Sequence, residues 1–228
     1  MLETVLLDLD ETLLDFRASE RAAISGTLSA LGIPPTEAII ARYSAINQRC
    51  WEGLERRELT RQQVLHRRFR ELFGELGVHV SPEAAQAIYA PILASGHSLM
   101  PGALELMETL QGRCRLFALS NGSGEIQDRR LRESGLDRYF EQVFVSGRMG
   151  ADKPDPAFFE ACFAAIPGFR RETSVMVGDS LTSDILGGKG AGLRTVWVNL
   201  RGKPPREDIR PDRICTSLED LPAILEGL

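Results

Sequence analysis

Five short runs rich in Val, Ile, Leu and Phe punctuate the chain: TVLLDLD, RLFALSNG, QVFVS, TSVMVGD and RTVWVNL. Each has the length of a buried strand, and after the second they alternate with segments of helical periodicity such as EIQDRRLRESGL and DPAFFEACFAAI. Strands alternating with helices predict an α/β, doubly wound, Rossmann-like parallel sheet covered on both faces. A weaker sixth run, RICTS, precedes a short helix expected from Leu218.

Between the first and second runs the pattern changes. Residues 16–98 hold several helical stretches and no convincing strand, with helix starts expected at Thr36 and at Ser81 before Pro82. A connection of that length far exceeds an ordinary βα loop. The expected organisation is therefore a catalytic α/β core of residues 1–15 and 99–228, with residues 16–98 inserted as a helical cap. Its arginines alternate with glutamates at helical spacing, the pattern of solvated helix faces.

The first run ends in Asp8, Asp10, Glu11 and Asp15, acids that a core cannot hold without partners or a metal ion. Side chains alternate along a strand, so Asp8 and Asp10 share a face at its C-terminal end, where open α/β sheets place their ligand crevice. Two carboxylates there can divide the labour of nucleophile and proton carrier. Capping acids at a strand end are the plainer alternative.

Three further places have the same character. Ser120, Asn121 and Gly122 close the second run, where a hydroxyl and backbone N–H groups can face an anion, although S-N-G is also a common turn. Lys153 follows the third run and is one of only three lysines among 27 basic residues, a compact point charge in an arginine-biased chain. Asp179 stands at the tip of the fourth run with Asp184 about one helical turn onward. Converging carboxylates suit a hard divalent ion, Mg²⁺ above all, while a helix cap would explain Ser180 or Asp179 more simply. Each place is ambiguous alone; all four at the C-terminal ends of predicted core strands are not.

Charge and composition narrow the partners. A net charge of -5 argues against polymeric nucleic acid, no apolar run approaches the length of a membrane span, and an acid stands where a signal peptide carries basic residues. A soluble, cytoplasmic protein is expected. Cys50, Cys114, Cys162 and Cys215 are scattered without metal-ligand or disulfide spacing, and the three histidines are isolated.

Taken together, Asp8-Leu-Asp10-Glu-Thr12, Ser120-Asn121, Lys153-Pro154 and Gly178-Asp179-Ser180-Leu-Thr-Ser-Asp184 resemble the four motifs of the haloacid dehalogenase-like hydrolase superfamily, in order and over the whole chain. The resemblance implies an Mg²⁺-dependent phosphomonoester hydrolase. Asp8 would form an aspartyl-phosphate, and Asp10 would protonate the leaving oxygen, activate water and bind Mg²⁺ through its backbone carbonyl. Thr12 would brace Asp8. Ser120 and the Asn121 backbone would hold phosphate oxygens, with Lys153 neutralising charge, and Asp8, Asp10, Asp179 and Asp184 would form the metal site.

The stretches NGSGEIQDRRL and GDSLTSDILGGKGAG further resemble the pyrimidine-type nucleoside 5′-monophosphate phosphatases, which implies a small phosphorylated metabolite, a nucleotide, as substrate. Competing readings are a phosphosugar or other metabolite phosphatase, a phosphomutase, a 2-haloacid dehalogenase, disfavoured by Asp10 and the Asp179/Asp184 pair, and a binding protein without turnover. A phosphonatase would need a cap lysine, and residues 16–98 contain none. For base recognition Phe16, Tyr43, Asn47 and Trp51 are candidates, since an aromatic face can stack while an amide reads an edge. Tyr43, Asn47 and Trp51 share one helix face, for which the cap's own core is the plainer reading. The oligomeric state is not written in the sequence.

Overall fold

The computed structural model describes residues 2–228, which divide into two compact units, residues 2–15 with 97–228 and residues 16–96. Residues 97 and 98, assigned to the insertion on sequence, fall with the larger unit.

In the larger unit six parallel strands run in the order β3-β2-β1-β4-β5-β6: β1 (Thr4–Leu7), β2 (Arg115–Ser120), β3 (Gln142–Val145), β4 (Ser174–Gly178), β5 (Arg194–Val198) and β6 (Arg213–Cys215). The central pairings set Leu7 beside Ala118 and Val177, so β1, β2 and β4 end at nearly the same level. Alternation along the strands sends Val5, Leu7, Ala118, Val175 and Val177 to one face and Leu6, Phe117, Leu119 and Met176 to the other. Both faces are apolar, as a sheet covered on both sides requires.

The helices follow in chain order. The smaller unit contributes α1 (Phe16–Ala30), α2 (Glu37–Glu55), α3 (Arg61–Leu76) and α4 (Pro82–Ala94). The larger one adds α5 (Ala103–Leu110), α6 (Gly124–Ser134), the single turn α7 (Ser146–Met149), α8 (Pro156–Ala165), the short α9 (Leu186–Gly190) and α10 (Leu221–Glu226). Phe158, Phe159 and Cys162 of α8 bury against Leu6, Phe117 and Met176, while Leu106 and Met107 of α5 and Leu221 of α10 close the opposite face.

In the helical unit Thr36 and Ser81 cap α2 and α4 through their side chains, as their sequence positions predict. Thr60 and Gln63 form a reciprocal capping box at the start of α3. Tyr43, Phe69 and Tyr89 pack with ring centroids 5.4–5.7 Å apart. Beside them the buried Asn47 accepts from Arg68 (2.8 Å) and donates to Glu20 (2.6 Å), so an amide links two buried charges of opposite sign. No described helix is long and apolar enough to cross a membrane.

Candidate active site

Every motif carried by the larger unit lies at the C-terminal ends of β1, β2 and β4. β1 stops at Leu7, and the chain turns so tightly that the N–H groups of Leu13 and Leu14 both reach the Leu9 carbonyl, at 2.9 and 2.8 Å. Glu11 sits in that turn with φ of 63°, the left-handed region. The turn brings Thr12 back under Asp8, where its hydroxyl donates to Asp8 Oδ2 at 3.0 Å.

Lys153 joins three elements. Its ammonium donates to Asp8 Oδ1 (2.8 Å), to Asp184 Oδ1 (2.7 Å) and to the Leu119 carbonyl at the end of β2 (2.6 Å). Three donors meet three acceptors, and the side chain is buried. Burial alone would lower its proton affinity, but the facing Asp184 and Asp8 carboxylates outweigh it and hold the lysine above its usual range. Asn121 clamps the same loop through its side chain, donating to the Lys153 carbonyl and accepting from its N–H, each at 2.8 Å.

Ser120 Oγ accepts from the Gly122 N–H (3.0 Å) and from Gln127 Nε2 (2.8 Å). With its acceptor positions used, the hydroxyl proton is the function it retains.

Asp179 follows β4, its carbonyl accepting from Trp197 Nε1 (2.9 Å) and its Oδ2 from Lys203 (2.5 Å). Asp184 is delivered by a wide turn over Leu181–Ile185, and its Oδ2 accepts from the Ser180 N–H (3.0 Å). The close approach needs Gly178: a Cβ there would lie 2.2 Å from Asp184 Oδ2. Ligand atoms of Asp8, Asp179 and Asp184 all fall within 4.8 Å of one another. Burial pushes Asp8 well above the usual carboxylate range against the pull of Lys153, and lifts Asp179 to about 6 against the pull of Lys203. Three crowded carboxylates facing two ammonium groups are short of positive charge, and an all-oxygen donor set suits a hard divalent cation, so the residues fit Mg²⁺.

The Asp10 side chain lies outside this cluster and points to α6. Its Oδ2 accepts from Gln127 Nε2 at 2.8 Å and its Oδ1 pairs with Arg130. Sequence reasoning passed over Gln127, Arg130 and Lys203, because each sits in a segment whose periodicity accounts for it as an ordinary helix or loop residue. It also left Glu11 and Asp15 without a role; both pair with Arg201 in the loop after β5.

The specificity candidates divide. Tyr43 and Asn47 are buried in the core of the helical unit, which corrects the expectation that they face a ligand: their helix face packs on α3 and α4 residues instead. Trp51 is half-buried with the Arg61 guanidinium 5.7 Å from its ring centre. Phe16 opens α1, immediately after Asp15, and is half-buried.

Residues 2–192 match the family model of haloacid dehalogenase-like hydrolases. The chain belongs to that family. The HAD-hydrolase YfnB of Bacillus subtilis is 39% identical over 97% of this chain and 94% of its own length. The pyrimidine 5′-nucleotidase PynA of Streptococcus pneumoniae is 36% identical over 95% of this chain and 92% of its own. The crystal structure of YfnB bound to magnesium superposes with a TM-score of 0.94 at 38% identity, covering 98% of both chains. This member of the family is an enzyme, a hydrolase of the phosphoric monoester class. The L-2-haloacid dehalogenase of Xanthobacter autotrophicus, at 18% identity and TM-score 0.78, shares its fold.

Proposed function

We propose that the protein is an Mg²⁺-dependent phosphatase of nucleoside 5′-monophosphates, pyrimidine nucleotides foremost, working through an aspartyl-phosphate on Asp8. The observation that carries the chemistry is the fixing of both Asp8 oxygens, Oδ2 by Thr12 and Oδ1 by Lys153, beside the Asp179 and Asp184 carboxylates. A carboxylate so held presents one orientation to phosphorus, which removes much of the entropic cost of reaching the attacking geometry. The substrate class is supported by the likeness to the nucleotidase PynA over nearly the whole chain.

In the first step an Asp8 oxygen bonds to phosphorus while the ester P–O bond breaks, and Asp10 gives its proton to the leaving oxygen. In the second, Asp10 takes a proton from water, which attacks phosphorus and frees Asp8 and inorganic phosphate. The Ser120 hydroxyl and the Asn121 backbone N–H hold phosphate oxygens, and the Lys153 ammonium offsets charge between phosphate and nucleophile. Asp8, Asp179 and Asp184, with the Asp10 backbone carbonyl, would hold Mg²⁺, which when bound supplies the positive charge that lets an anionic nucleophile meet an anionic ester.

The test is phosphate release from a panel of nucleoside monophosphates, sugar phosphates and 2-haloacids, with Asp8→Asn as control. Mg²⁺-dependent release from pyrimidine monophosphates that vanishes in Asp8→Asn supports the proposal. Preferred release from a sugar phosphate overturns the nucleotide assignment, and halide release overturns the chemistry.

A further inference from the structure

The contact between Asp10 and α6 is built from buried parts. Arg130 is 1% exposed, and its guanidinium pairs with Asp10 Oδ1 and donates to Gln127 Oε1 at 2.9 Å. Gln127, equally buried, donates through Nε2 to Asp10 Oδ2 and to Ser120 Oγ, each at 2.8 Å. Three residues apart on one helix, the two side chains stand on the same face and reach both oxygens of a single carboxylate. Gln127 itself lies so close to the loop after β2 that a Cβ on Gly122 would meet its Cγ at 2.7 Å.

A general acid works only if its proton lies along the path to the leaving oxygen, and a misplacement of about 1 Å can cost roughly 10²-fold. Asp10 lies beyond the end of β1, at the start of the tight turn through Glu11, so strand neighbours do not fix its side chain. Burying a guanidinium merely to stop that rotation is expensive unless its partner is a charge that must stay in place. We infer that Arg130 and Gln127 are positioning residues for the reaction: they aim the Asp10 carboxyl, and through Gln127 they tie its orientation to the Ser120 hydroxyl that grips phosphate. The inference rests on the reading of Asp10 as the acid–base group. In this role each acts through Asp10 or Ser120 rather than on the phosphoryl group or the leaving oxygen.

Aiming matters most when the leaving group needs a proton. An alkyl phosphate such as a nucleotide must have its departing oxygen protonated, whereas dinitrophenolate departs with its electron pair unassisted; hydrolysis of the aspartyl-phosphate needs Asp10 for both. The experiment compares wild type with Arg130→Met, Arg130→Lys and Gln127→Met by rapid mixing, with a nucleotide and with dinitrophenyl phosphate. For Arg130→Met the expected result is a nucleotide kcat lowered about 10²-fold with little change in KM. The dinitrophenolate burst keeps its rate, and the steady state after it slows. Arg130→Lys restores part of the loss. Gln127→Met raises KM as well, because Ser120 loses its tether.

Equal losses for both leaving groups, burst included, would show a structural role and overturn the inference, as would nucleotide kinetics unchanged from wild type. Thermal melts and calorimetric Mg²⁺ binding accompany each variant, and if Arg130→Met does not fold, the lysine and Gln127 variants carry the same comparison. Wild-type protein without Asp8-dependent turnover of any phosphate ester would fail the functional proposal itself. Wild-type turnover with indifferent variants fails only this inference.

Discussion

Lys153 shows how much of this site rests on single atoms. Its ammonium is the shared partner of two buried carboxylates, so Lys153→Met should leave Asp8 and Asp184 facing each other without a counter-charge. The expected result is a loss of about 3–5 kcal/mol in urea unfolding together with loss of activity, since removing one partner of a buried pair strands the other. Gly178 is a second such point. Gly178→Ala places a methyl where Asp184 Oδ2 now lies, and displacing that carboxylate should weaken Mg²⁺ binding about 10- to 100-fold by titration calorimetry. Unchanged affinity would mean that Asp184 is not needed there. The acids of the first motif were visible in the sequence as acids, but their division into a Lys153-bound Asp8, an α6-facing Asp10 and Arg201-bound Glu11 and Asp15 depends on a turn at Glu11 and on residues more than a hundred positions away.

At the scale of elements, periodicity located the strands because their burial on both faces leaves continuous apolar runs. The helix starts at Thr36 and Ser81 were equally legible, since a cap is a local hydrogen bond between neighbours in sequence. Local bonds can also be tested locally. Thr60→Ala removes one half of the α3 capping box and should cost about 1 kcal/mol, read by urea unfolding and by faster amide exchange in the first turn of α3. The helix face bearing Tyr43 and Asn47 had two consistent readings, ligand contact or core. Periodicity reports that a face is distinctive without reporting what covers it, and only the packing of Phe69, Tyr89 and Arg68 against that face decides for the core.

Across the whole molecule, the acid cluster makes stability depend jointly on pH and metal. Burial raises Asp179 to about 6 and Asp8 well above the usual range, so the metal-free folded protein holds more protons than the unfolded chain between the ordinary carboxylate range and the raised values. Stability from these groups therefore falls as pH rises through that window. A divalent cation takes the place of those protons, so the rise in Tm on adding Mg²⁺ in place of EDTA should be larger at about pH 8 than at about pH 5. Equal shifts at both pH values would argue against metal binding by this cluster. The strands, the helical stretches between the first two of them and the chemically marked segments were readable from the chain, because continuous burial and loop length are one-dimensional consequences of a covered parallel sheet. The partners of each acid were not. Gln127 and Arg130 on Asp10, Lys203 on Asp179 and Arg201 on Glu11 and Asp15 meet only when β1, β2, β4 and β5 end side by side, and pairing among charges of equal merit is settled by that three-dimensional adjacency.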